Sequence, residues 1–227
     1  MAQSQISPRT LTLIRVVDQF VIRLAHHWLL YVNLILALFI GLPILAPVLI
    51  AFGLDGPGRF LYSIYSLTCH QLAYRSWFLF GAQSSYTVEQ LQHYLGVNNP
   101  ATDIFFWRDF IGNAQAGYKM AYCERDVAIY GSALVAGLAY GLFRTRVKSL
   151  NWRIYLIFAI LPMALDGFTQ LFMLRESDPL LRTITGTLFG ALSVWLIYPY
   201  VEDSMRDTYA ASSQQLQRIS ERTCQSN

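Results

Sequence analysis

Four long apolar runs, interrupted by a single charged side chain, limit this chain to one broad class of structure. Trp28 to Gly53, Val127 to Phe143 and Thr183 to Val201 carry no charge, and Ile154 to Leu174 is broken only by Asp166. Runs of this length reach across a hydrocarbon core of ~30 Å. Only 14% of the residues are charged, against roughly 25% in an average soluble domain, so a soluble helical protein is the weaker reading. The sequence predicts an all-α membrane protein with four transmembrane helices, at about 28–53, 127–143, 154–174 and 183–201. The first run exceeds the apolar core of a cleaved signal and is kept as a span, with Pro43 and Pro47 bending it.

Lys and Arg set the expected orientation. Arg144, Arg146, Lys148 and Arg153 lie between the second and third spans with no acidic residue, and Arg9, Arg15 and Arg23 precede the first. The segment from Asp55 to Asp126 is balanced, with five basic and six acidic side chains. The positive-inside rule then places both termini in the cytoplasm of a multi-pass cell-membrane protein. Residues 1–27 form a cytoplasmic amphipathic segment, 28–203 the membrane domain with an outer loop at 54–126, and 204–227 a polar cytoplasmic tail. The net charge of +3 reflects this bias and implies no nucleic acid.

Within the N-terminal segment, Ser7-Pro8 reads as a helix start, and Leu13, Val17, Phe20 and Leu24 repeat at helical spacing. Two readings stay open, an amphipathic helix in the headgroup layer or an upstream extension of the first span. The tail lacks a strong apolar period and is expected to be frayed or disordered, with Cys224 an incidental thiol.

The outer loop, roughly seventy residues, is too long to be featureless. Phe60 to Phe80 suits an interfacial or re-entrant helical piece. Thr87-x-x-Gln90 is a capping-box pattern opening a helix through Leu95, and Asp103 suits the cap of another through Phe110. Gly112 to Tyr122 leads into Cys123, and Phe105, Phe106, Trp107 and Tyr118 fit an interfacial aromatic belt.

Cysteine and histidine, the side chains most used in ligation and redox work, are scarce here, yet Cys69 and His70 are adjacent. Cys69-His70-Gln71 with Arg75-Ser76, Gly117-Tyr118-Lys119, Cys123-x-Arg125-Asp126-x-x-Ile129-Tyr130-Gly131 and Leu161-Pro162-Met163-x-x-Asp166-Gly167-x-x-Gln170 follow in order. Arg175-Glu176-Ser177 and Leu181-Arg182-x-x-Thr185-Gly186-x-Leu188-Phe189-Gly190 complete the series. Over roughly Arg59 to Pro199 this series resembles a family of small prokaryotic membrane proteins, the domain of unknown function numbered 2085. The resemblance implies a second cysteine, in a Cys-x-Arg-Cys pattern, where this chain has Asp126.

A ligand set tolerates Cys-to-Asp exchange and a disulfide does not, since thiolate and carboxylate both bind Zn²⁺ at ~2.0–2.3 Å. The candidate metal set is Cys69, His70, Cys123 and Asp126, with zinc or iron as the cofactor and one of the adjacent pair as ligand. The rival is a Cys69–Cys123 disulfide in an oxidising outer compartment, and two unpaired thiols are the third option.

Asp166 is the other notable position, because a carboxylate inside a span suggests function by default. Gln170 lies one turn further along the same face. Asp166, Gln170 and Arg125 form a candidate catalytic group, and the competing reading is an ion pair of Asp166 with Arg125 or Arg182 that fixes helix register. Gly137-x-x-x-Gly141 and Gly186-x-x-x-Gly190 are small-residue packing motifs, meaning contact within the bundle or a homodimer.

Three function classes follow. The first is a membrane enzyme, metal-assisted or thiol-redox, acting at the outer interface. The second is a non-catalytic structural or accessory subunit of a membrane complex, with membrane-protein partners. A transporter is weaker, for want of inverted repeats. Gly-x-Ser-x-Gly, His-Glu-x-x-His, phosphate-loop and dinucleotide signatures are all missing from the sequence.

Overall fold

The computed structural model describes residues 8–225 except 101, 145, 173 and 176, and no side chain beyond 221. Among these residues four helices are long and apolar enough to cross a membrane, as the hydropathy runs require. Helix α1 (Pro8–Ala51) crosses from the side of the chain termini to the side of the long loop. Helix α5 (Glu124–Phe143) returns. The third span is Trp152–Leu171. It comprises α6 (Trp152–Tyr155), a π-helical turn (Leu156–Ile160) and α7 (Leu161–Leu171). Helix α8 (Pro179–Gln225) crosses back and packs against α5, α1 and the third span.

The helices meet where side chains are smallest. A Cβ on Gly190 would stand 2.1 Å from the Ile129 carbonyl oxygen, and one on Gly186 would stand 2.9 Å from both the Ala128 Cβ and the Arg125 carbonyl oxygen. A Cβ on Gly137 would stand 2.3 Å from Asn33 Oδ1 of α1. Both glycine motifs are thus used within the bundle.

The terminal helices outrun the membrane. At 44 residues, α1 is about 66 Å long, twice the hydrocarbon thickness. The stretch ahead of the first span is helical, as expected, and is one helix with it. Ser7 and the Cys224 side chain lie outside the described residues. The polar tail differs from expectation, for α8 stays helical to Gln225. Its half-buried Met205, Ser212, Leu216 and Ile219 recur every three to seven positions, matching Leu11, Ile14, Asp18 and Ala25 on α1, the helix it packs on. Two helices paired in this way need only a narrow seam, which few apolar residues supply. Leu13, Val17, Phe20 and Leu24 stay exposed on the other face of α1.

The long loop folds into a small cap. Helix α2 (Asp55–Tyr65) turns back onto α1. Strand β1 (Ser76–Leu79), where helix was expected, pairs antiparallel with β3 (Gly117–Cys123), and β2 (Gly112–Asn113) pairs with β3 on its other edge. Along β3, buried Gly117, Lys119 and Ala121 alternate with half-buried Tyr118 and Met120. Gly117 has φ +78°, and a Cβ there would meet the Leu79 carbonyl oxygen at 2.3 Å, so the tight hairpin requires glycine.

Helix α3 (Val88–Leu95) carries the expected capping box, with Thr87 and Gln90 bonded reciprocally and Gly96 left-handed at its end. Helix α4 (Ile104–Asp109) is capped by Asp103, whose Oδ1 accepts from the Phe106 N–H at 3.1 Å. Trp107 is no belt residue. It is fully buried with Leu72, Phe78, Tyr86 and Leu91, and its indole N–H donates to the Pro100 carbonyl at 2.9 Å. A buried Trp needs such an acceptor, which the preceding Asn-Asn-Pro turn supplies. Phe105, at 79% exposed, remains compatible with a belt.

Candidate functional site

The first turn of α5 organises the loop side of the molecule. Glu124, Arg125 and Asp126 are consecutive, and the ~100° between helical neighbours aims each at a different element. Glu124 accepts from Arg182 Nη1 of α8 at 3.0 Å. Arg125 bonds Asp166 of α7. Asp126 turns back to the cysteine that caps its own helix.

That cysteine, Cys123, ends β3 and is the N-cap of α5, its sulfur accepting from the Asp126 backbone N–H at 3.5 Å. Its thiol also donates to Asp126 Oδ2 at 3.2 Å, and its backbone N–H donates to Cys69 Sγ at 3.3 Å. Cys69 reaches this point because the chain leaves α2 in a tight turn, with the Cys69 N–H bonded to the Tyr65 carbonyl at 3.0 Å. Ligand atoms of Cys69, Cys123 and Asp126 all lie within 4.8 Å of one another. Both cysteines are free thiols. The Cys69 contact and burial together hold the Cys123 thiol well above its usual range, outweighing the helix N-terminus that would lower it. Cys69 belongs to an apolar cluster with Tyr65 and Tyr122, whose rings are 4.9 Å apart. His70 is exposed and stands outside the three-residue cluster.

Gln71, the last member of the Cys-His-Gln motif, has a structural part the sequence did not reveal. It is buried in the left-handed region at φ +53°, uncommon for a residue with a side chain. Its Nε2 donates to the Tyr62 carbonyl at 2.9 Å, closing the end of α2. Its own carbonyl accepts from Lys119 Nζ at 2.5 Å. Lys119 is fully buried and donates also to the carbonyls of Arg108 at 2.6 Å and Trp107 at 3.2 Å. One ammonium thereby ties the loop after α2 and the end of α4 to β3. The carbonyls favour its charge, but burial wins and pushes Lys119 down to about 7, with Cys69 and Asp109 opposing the shift.

Asp166 sits in a second cluster on the same side. It is 2% exposed and accepts from Arg125, from Arg175 Nη2 at 2.9 Å and from the Ser177 hydroxyl at 3.0 Å. Of the two arginines weighed as its partner, Arg125 fills that place and Arg182 pairs with Glu124. Gln170 joins the Arg182 side, its side-chain oxygen accepting from Arg75 Nη2 at 3.0 Å and Arg182 Nη2 at 3.2 Å. Glu124 is the residue that sequence reading missed, since at the edge of an apolar run it looks like an ordinary first-turn acid.

Four crossing helices under a folded loop define a multi-pass integral membrane protein. Within that class, a family model described as predicted membrane protein (DUF2085) matches residues 114–196. The uncharacterized protein MJ1492 of Methanocaldococcus jannaschii is 35% identical over 143 residues, covering 61% of this chain and 67% of that protein. The chain belongs to the DUF2085 family of membrane proteins. No solved structure matches it.

Proposed function

We propose that this protein is a cell-membrane protein, termini in the cytoplasm, whose outer face carries a metal centre built from Cys69, Cys123 and Asp126. The proximity of three ligand atoms within 4.8 Å, drawn from three separate positions in the chain, carries the reading. The donor set fits a borderline-soft cation. Two thiolates and a carboxylate satisfy three corners of a tetrahedral Zn²⁺ site, and the 3.2 Å between Cys123 Sγ and Asp126 Oδ2 suits neighbouring ligands of one ion. Iron is the other candidate for such a set. The fourth position would be left to water or a substrate atom, the arrangement of catalytic rather than structural zinc. His70 has no place in the first set of ligands on this reading.

Asp166, Arg125 and Gln170 act here as a lock and not as acid or base. Both oxygens of the carboxylate are already occupied, by two guanidiniums and a hydroxyl. The lock fixes the third span against α5, holding the helix that carries Asp126.

The 3.3 Å contact from the Cys123 N–H to Cys69 Sγ favours a second reading, a Cys69–Cys123 disulfide in an accessory subunit of a membrane complex. Elemental analysis of the detergent-purified protein beside Cys123→Ser separates the two, combined with thiol labelling before and after reduction. About one equivalent of zinc or iron, lost in the variant, is expected. Metal-free protein that labels only after reduction would give the disulfide instead, and metal-free protein that labels freely would remove both.

A further inference from the structure

The opposite end of the bundle holds a site of different chemistry, independent of the cysteine centre. Three spans reach the membrane boundary together there: Trp28 opens the apolar part of α1, Arg144 follows α5, and Glu202 follows the apolar part of α8. Glu202 is 4% exposed and accepts from the Trp28 indole N–H at 2.9 Å, Arg144 Nε at 2.5 Å and Arg206 Nε at 2.8 Å. Each arginine thus spends its Nε on the carboxylate and keeps its terminal nitrogens for something else. One carboxylate facing two guanidiniums leaves a positive excess. A cavity of about 290 Å³ opens beside them, bordered also by His26 and Tyr209, whose rings are 5.8 Å apart. Arg144 and Arg206 are 31% and 53% exposed, so they are oriented from below and open from above.

We infer that this cavity binds a phosphate group, supplied by the headgroup of an anionic phospholipid. Glu202 acts as the positioning residue: by holding both Nε atoms it leaves the terminal N–H groups of two guanidiniums to donate, the donor type that engages phosphate oxygens bidentately. The Tyr209 hydroxyl and His26 ring border the same space as further donors. Depth favours a lipid, since the three helix ends place the cavity at headgroup level, where basic pockets between spans take anionic headgroups. Free phosphate shares the chemistry and is the alternative source.

The full chain in neutral-lipid nanodiscs tests this, with phosphatidylglycerol, phosphatidylcholine or inorganic phosphate added and bound lipid counted by native mass spectrometry. One retained phosphatidylglycerol per chain is expected, weakened about tenfold by Arg206→Ala and untouched by Arg218→Ala, an exposed arginine far along α8. Arg206→Lys keeps the charge without the fork and should fall between them, which guards against a variant that fails to fold. Competition by millimolar inorganic phosphate would assign the site to the free anion. Equal retention of phosphatidylcholine, or wild-type retention by Arg206→Ala, would overturn the assignment.

Discussion

Glu124 and Arg182 form an ion pair 3.0 Å long that is shut away from solvent, with side chains 0% and 6% exposed. A pair so placed is held by mutual need. Removing one partner leaves the other charge buried, at roughly 3–5 kcal/mol, whereas replacing both by apolar groups is often near neutral. Glu124→Gln and Arg182→Met are each expected to lower the unfolding midpoint in detergent sharply, and the double variant to recover much of the loss. Strictly additive losses in that cycle would mean the two side chains do not depend on each other.

The partners of Asp166 should rank by burial. Arg125 is 20% exposed and Arg175 46% exposed. Arg175→Ala is expected to cost under about 1 kcal/mol, as for other solvent-screened pairs, and Arg125→Ala about 3 kcal/mol. Asp166→Asn should destabilise at least as much as Arg125→Ala yet leave metal content per folded protein unchanged. A stable Asp166→Asn protein without metal would move Asp166 into the metal centre.

Helix spacing gives a steric prediction. With the Ile129 carbonyl 2.1 Å from the Cβ that Gly190→Ala adds, α5 and α8 must separate. A loss of about 1–3 kcal/mol is expected, read from chemical or thermal unfolding. Gly131→Ala, on the same helix as Ile129 and with open space at its Cβ, is the control and should change little.

Lys119 gives a pH dependence of definite sign. Its folded value of about 7 lies below the ordinary 10.5. Between those values the unfolded chain binds the extra proton, so this group's contribution to stability rises with pH through that window. The unfolding midpoint should therefore increase from pH 7 to 8.5, below the range where Cys123 enters. Lys119→Gln should flatten the rise, and a midpoint that falls over this interval in the wild type would refute the assignment.

How much of this was legible depended on whether the signal is local. The spans were, because a missing charge is visible residue by residue, and so was the Thr87–Gln90 capping box, closed within one turn. Pairing across the chain was not. Cys69 and Cys123 could be named, but only the fold of α2 onto β3 brings Cys69 beside Asp126 and leaves His70 apart. Lys119 reads as one polar residue of the stretch leading into Cys123 until three carbonyls from two other segments surround it. Trp107 looked like a belt residue because composition cannot tell a membrane surface from the small core under a loop. The helical tail escaped notice because its seam needs a partner helix that its own sequence does not show.

The π-helical turn at Leu156–Ile160 carries a consequence for insertions and deletions. A π turn amounts to one residue more than a regular turn holds. A family member of equal length with a regular α-helix here would have everything beyond it rotated by ~100°. Asp166 would then swing from its arginines toward hydrocarbon, where a bare carboxylate costs roughly 2.5–3.5 kcal/mol even on lenient scales. The π turn therefore absorbs the surplus residue and keeps the downstream helix in phase. Relatives one residue shorter at this point, with a regular α-helix there, should keep an acid aligned with Asp166 across the single-residue gap, and an acid displaced by one position would count against this reading.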